Sequence, residues 1–270
     1  MKYIKVSTKL LAATIENDTF WRKKAEFIYR VLLNKVKKDE FDEYNEIYID
    51  PNEMGIESLN GLCVSFSMSD SNAAFNTNAE FVSHPSVGND KNPDVNYFTL
   101  NISITKKINN LSDMYKMLSS SEYRIHILHE LIHFLDFKER KIKSMNTSDN
   151  KFNKFTNSIN DFNSLSIKEK EVVQNFYKKY LSHGLELNAY FQSIISNLIS
   201  RTKRETIVNY LKNPPDKIKN KRYPTRLLYY LCVTQPQIKE IVKISKYIRR
   251  KLLKRLIPVY EQYFKKYVEN

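Results

Sequence analysis

Three residues near the middle of the chain carry the strongest chemical signal, in the run His129-Glu130-Leu131-Ile132-His133. On a helix, side chains four residues apart lie one above the other, so the two imidazoles share a face. Two imidazole nitrogens so arranged bind one Zn²⁺ at about 2.0–2.1 Å. Glu130 directly follows the first histidine, where its carboxylate reaches a water on such an ion and acts as general base. Zinc brings that water's pKa to about 7, making a nucleophile at neutral pH. The chain has only 5 histidines in 270 residues, so chance seldom produces the pattern. The flanks Ile127-Leu128 and Phe134-Leu135 are apolar, as a buried helix behind a metal requires. The plain alternative is a core helix whose histidines satisfy local hydrogen bonds.

A third protein ligand is needed if one tetrahedral position is to stay open for water. Glu139, six residues after His133, holds the place of the last ligand in HExxHxxGxxH. That pattern turns the chain on a glycine, and here Asp136 stands in its place, so residues 137–139 are expected to continue the helix and point Glu139 outward. Glu186 is the stronger candidate. It is the only acidic residue between Glu171 and Glu205, set in an apolar helix start, and Ala189 one turn later allows close approach. A carboxylate isolated in such a stretch needs a partner, and a metal is one. Its plain reading is a first-turn glutamate facing a helix N-terminus.

His129–Asp136 (HELIHFLD) and Glu186–Gln192 (ELNAYFQ) together resemble the zincin metallopeptidases of the gluzincin-like branch. They are most similar to compact bacterial and phage members with an E-x-x-A third-ligand helix, the antirepressor-type metallopeptidases among them. The resemblance covers about residues 40–200. It implies a small twisted sheet with the HExxH helix beneath an edge strand at Val95–Ile104, bound Zn²⁺, and hydrolysis of a protein or peptide substrate. The chain departs from thermolysin's E-x-x-x-D, with Tyr190 where the aspartate would be, and carries a long insertion at Ser144–Ser164. Within this frame Asp136, near the face of His129 and His133, can orient a ligand imidazole or simply be a surface carboxylate. Tyr190, one turn beyond Glu186, and His183, three residues before it, can each face the metal and stabilise an oxyanion. Alternatively Tyr190 is core and His183 a cap. His126 reads as a packed histidine, and His84, before Pro85, as unrelated.

The elements that must position these residues read as follows. Thr8–Lys38 is helical, with Leu10, Leu11, Ile15, Phe20, Phe27, Ile28, Val31 and Leu32 at helical spacing. Strands are expected at Glu46–Asp50, Leu62–Met68, Glu80–Ser83 and Val95–Ile104, with loops at Ser69–Asn78 and His84–Asp94. Ser119-x-x-Glu122 fits a capping box opening the HExxH helix, which runs to about Lys141. Helices are expected at about Ile167–Leu181, Gly184–Arg201, Thr206–Lys212, Tyr223–Thr234 and Gln237–Leu256, punctuated by Pro214-Pro215, Pro224, Pro236 and Pro258. The class is α+β, a zincin-like sheet followed by a mostly helical C-terminal half.

Charge divides the chain. Met1–Ser200 holds 25 basic and 25 acidic residues, while Arg201–Asn270 holds 19 and 5, so the whole net charge of +14 sits in the last part. This suggests a metallopeptidase domain over 1–200 and a basic helical extension over 201–270. Along the expected 237–256 helix, Ile238, Val242, Ile248, Leu252 and Leu256 form an apolar stripe. Lys239, Lys243, Lys246, Arg250 and Lys254 form a basic one. A solvated face is the plain reading, and an anionic partner the functional one: nucleic acid, an acidic protein or anionic lipid. A rival reading of the whole chain is a virion or mobile-element structural protein with an idle zincin scaffold and a binding tail; a third is a nucleic-acid-binding protein in which HExxH is incidental. Four glycines cannot assemble a nucleotide-cradling loop, and two cysteines cannot make a disulfide framework. No secretory signal or membrane-length apolar run is read, which fits a cytoplasmic or virion-associated protein. The wealth of Lys, Asn and Ile suits an AT-rich bacterial, phage or viral genome.

Overall fold

The structure is a computed structural model that describes residues 8–42, 45–55, 61–68, 80–83, 98–104, 108, 110–140, 166, 168, 171–172, 175, 184–244 and 246–269. The chain forms two compact units, Met1–Val173 and Gln174–Asn270. The loops expected at 69–78, 84–94 and 144–164, and most of the helix expected at 167–181, lie outside the described residues.

The first unit opens with α1 (Thr8–Lys37), which buries Ala25, Ile28, Leu32 and Val36 along one stripe. The stripe follows from steps of three and four residues. Lys35 and Lys37 in the last turn suit the negative end of the helix dipole. β1 (Glu46–Ile49) buries Ile47 and Ile49 and turns Tyr48 outward. The one-turn helix α2 (Pro51–Met54) is held by a capping box, with the Asp50 carboxylate accepting from Asn52 N–H at 2.8 Å and Glu53 from Asp50 N–H at 2.9 Å. Gly55 then ends it at φ 60°, a left-handed conformation that suits glycine.

β2 (Leu62–Met68), β3 (Glu80–Ser83) and β4 (Phe98–Ile104) complete a four-stranded sheet in the order β1-β2-β4-β3. β1 runs antiparallel to β2, β2 parallel to β4, and β4 antiparallel to β3. Leu62, Val64, Leu100 and Ile102 are buried in alternation with half-buried Cys63, Ser65, Thr99 and Asn101. The strand expected at the edge is therefore inner: β4 lies between β2 and β3, and β3 forms the margin. Local alternation reports which face is buried, and carries no information about lateral neighbours.

On the half-buried face the Cys63 thiol donates to Glu46 at 3.0 Å. Burial, reinforced by that carboxylate, pushes the thiol's pKa up to about 12. Cys63 should therefore resist iodoacetamide at pH 8 in the folded protein and alkylate readily in urea, read by mass spectrometry. Equal labelling in both states would count against this burial.

α3 (Leu111–Leu118) is capped by Asn110, whose side chain accepts from Asp113 N–H at 2.9 Å. α4 (Ser121–Arg140) carries the HExxH run. Its cap falls one residue later than expected, since Ser120 Oγ accepts from Tyr123 N–H at 3.4 Å and Ser119 N–H closes α3 on Tyr115. α4 packs against α1, β3 and β4. Tyr123 donates its hydroxyl to the Ser103 carbonyl at 3.1 Å, tying α4 to the sheet. Arg124, almost fully buried, pairs with Glu26 on α1 and lies over the Tyr29 ring, 5.5 Å from its centroid. Tyr29 in turn donates to the Leu118 carbonyl at 2.9 Å.

The second unit is helical among its described residues: α5 (Gly184–Arg201), α6 (Arg204–Lys212), a 3₁₀ turn (Asp216–Ile218), α7 (Tyr223–Thr234), α8 (Pro236–Ile244), α9 (Lys246–Tyr263) and α10 (Lys265–Val268). Pro224 and Pro236 sit in first turns, where a missing N–H costs nothing. The helix expected over 237–256 is described as α8 and α9, with Ser245 outside the described residues. Pro258 does not end it, as α9 continues to Tyr263. Val259, Tyr260 and Phe264 are buried beyond the proline, and their packing outweighs the one lost bond to Lys254. The Arg226 guanidinium donates to the carbonyls of Leu211, Lys219 and Lys221, joining α6, the 3₁₀ turn and α7. The protein is α+β, and no helix among its described residues is long and apolar enough to cross a membrane.

Candidate metal centre

His129 and His133 stand one turn apart on α4, each about 2% exposed, on the buried side with Leu128, Leu131 and Ile132. Their Nε2 atoms lie 3.0 Å apart, and the rings meet edge to face at 86°. Two nitrogen ligands at tetrahedral angles around one Zn²⁺ would lie about 3.3 Å apart, so the pair already converges as shared ligation requires. Glu130 Oε1 lies 3.8 Å from His129 Nε2, with its side chain 15% exposed. The carboxylate thus sits beside the nitrogens rather than out in solvent.

Glu186 occupies the first turn of α5 and is buried. The helix N-terminus favours its negative charge, although such a dipole is worth only about 0.3–1 kcal/mol at an exposed end and about 2 at most. Full desolvation of a carboxylate costs more than that, so a cation or strong donors must meet it. His129, His133 and Glu186 form a buried group whose ligand atoms all lie within 4.8 Å of one another. Two imidazoles and a carboxylate suit a divalent first-row ion, zinc among them.

No protein-family model, curated protein or solved structure matches the chain.

Among the remaining candidates, Tyr190 is buried one turn after Glu186, on the same face of α5. Ser193 and Asn197 continue that face and are buried too. Ser193 donates to the Tyr190 carbonyl at 3.1 Å, its hydroxyl turned back onto the helix. Sequence reasoning did not single these two out, although polar residues at steps of four, three and four from Glu186 were the available signal. Gln192 is 1% exposed, and neither amide atom has a hydrogen-bond partner among the described residues. Such a group costs about 1–3 kcal/mol. His183 lies outside the described residues, as does His84. The side chains of Asp136 and Glu139 do too, while the backbone of α4 continues through Arg140, as the missing glycine implies. His126 stands outside the metal group. Burial pushes its pKa down against the opposing charge of Glu122, which favours a neutral packed ring.

Proposed function

We propose that the protein is a zinc-dependent, zincin-like metallopeptidase that hydrolyses a peptide or amide bond. The observation that carries the reading is the buried convergence of His129, His133 and Glu186 within 4.8 Å, with Glu130 beside the first histidine. The three side chains would hold the ion. Bound zinc supplies Lewis-acid polarisation of the carbonyl and a water acidic enough to lose its proton near neutral pH. Glu130 would act as general base, taking a proton from the attacking water as its oxygen bonds to the carbonyl carbon. It would then deliver the proton to the amide nitrogen as the C–N bond breaks, leaving a carboxylate and an amine. Tyr190, buried one turn after Glu186 on the same face, would donate its hydroxyl to the developing oxyanion.

The test is metal analysis of purified protein together with cleavage of a quenched fluorescent peptide library. Wild type should hold one equivalent of zinc and cleave; His129→Ala should lose both. Wild type reconstituted with excess zinc that still holds less than about a tenth of an equivalent would overturn the reading.

A further inference from the structure

The second unit presents a surface that the hydrolytic reading does not use. Residues 174–270 hold 21 basic and 6 acidic residues, a net of +15. Not all of these charges are available. Arg226 is engaged with three backbone carbonyls. Arg255 donates to Asn188 at 2.6 Å and lies over the Phe191 ring. Of the nineteen that remain, seven lie on α8 and α9.

Lys246, Arg250 and Lys254 are exposed at successive turns of α9. Helical geometry spaces them about 6 Å apart along the axis, each rotated about 40° from the last. Lys239 is exposed on α8. None of these four forms an ion pair with a described residue. Tyr247 is 72% exposed beside them, and Arg249 lies over the Tyr229 ring at 5.8 Å. Exposed Glu261 ends the strip two turns beyond Lys254. Against this run of cations, the large apolar residues exposed on α9 are Tyr247 and Ile257, too few to form a lipid-inserting wedge.

We propose that this face binds the phosphate backbone of a single-stranded nucleic acid, with Tyr247 as a platform on which a base stacks. Repeated cations one helical turn apart match a repeating anion, and an exposed aromatic among them supplies contact to any base. Contacts to phosphates and stacking on a base face carry little sequence information, so binding is expected to depend weakly on sequence.

The test uses the full chain and a fluorescein-labelled oligothymidylate, with anisotropy followed from about 50 to 200 mM salt. The triple variant Lys246→Glu/Arg250→Glu/Lys254→Glu should weaken binding at least about tenfold and flatten the log–log salt slope by about 2, at about 0.7 per phosphate contact. Lys203→Glu/Lys212→Glu/Lys217→Glu changes the net charge equally at exposed positions elsewhere, and should weaken binding far less. Tyr247→Ala should cost about tenfold in affinity and leave the slope unchanged. Unfolding curves of each variant separate lost binding from lost structure. Four outcomes would overturn the proposal: equal loss in the two triple variants, salt-insensitive binding, no effect of Tyr247→Ala, or preference for polyglutamate or phosphatidylserine vesicles over the oligonucleotide. Zinc removal should leave this binding intact, so failure here and failure of the hydrolytic reading are told apart.

Discussion

Glu130→Gln should keep the metal stoichiometry of the wild type and lose peptide hydrolysis by about 10²–10⁴-fold. The substitution preserves side-chain volume and leaves the nitrogens of His129 and His133 untouched. What it removes is the ability to accept a proton at neutral pH, since an amide oxygen is not a base there. The location makes this diagnostic: Glu130 Oε1 is 3.8 Å from His129 Nε2, close enough to serve a water at the shared ligation point without being one of the three grouped ligand residues. Zinc analysis, far-UV circular dichroism and the fluorescent peptide assay on one preparation read all three quantities. A Glu130→Gln protein that hydrolyses at more than about a tenth of the wild-type rate would remove Glu130 from the mechanism.

The largest expected effect on stability lies on the other side of the same helix. Arg124 on α4 pairs with Glu26 on α1, with side chains only 3% and 14% exposed. Replacing Arg124 by Met keeps much of the volume over the Tyr29 ring and removes the cation paired with the Glu26 carboxylate. Breaking a buried pair from one side costs about 3–5 kcal/mol, most of it the penalty of the abandoned charge. In a unit of this size that corresponds to a fall in melting temperature of about 10 °C. The double variant Glu26→Gln/Arg124→Met should recover part of the loss, because the carboxylate is removed together with its Arg124 partner. Chemical denaturation followed by Trp21 fluorescence measures it. A loss below about 1 kcal/mol in the single variant would show that the pair behaves as a surface ion pair.

The parts of this protein that can be read from its sequence are those with a local cause. α5 is expected at Gly184–Arg201 and is found there, because apolar periodicity and a glycine start signal lie within the segment itself. The two histidines follow from a four-residue step. Glu186 stands out because it is a lone acid in apolar surroundings, which is again a local property. The errors have non-local or degenerate causes. Ser119, Ser120 and Ser121 are chemically alike, so the expected cap of α4 falls one residue early. The inner position of β4 depends on residues 80–83 pairing with it antiparallel, and nothing within β4 encodes that. Arg124 and Glu26 lie 98 residues apart and leave no pattern at all. Arg226 reads as one more cation of a basic surface, when its guanidinium is taken up by three carbonyls.

The parallel pairing of β2 with β4 bears on how the chain acquires its structure. Leu62 aligns with Phe98, and every partner along the ladder is equally distant in sequence, so the pairing closes a loop that itself contains β3. Loop-closure entropy must be met before such a ladder returns any stabilisation, and parallel sheets are correspondingly slow to form. In the second unit helices adjacent in the chain pack on one another, α6 on α7, α7 on α8 and α8 on α9, beside distant links such as Arg255 to Asn188 and Arg204 to Tyr267. In the first unit α4, which packs on β3 and β4, is expected to settle only when the sheet does. Its apolar flank would be the exposed, aggregation-prone surface of the folding intermediate.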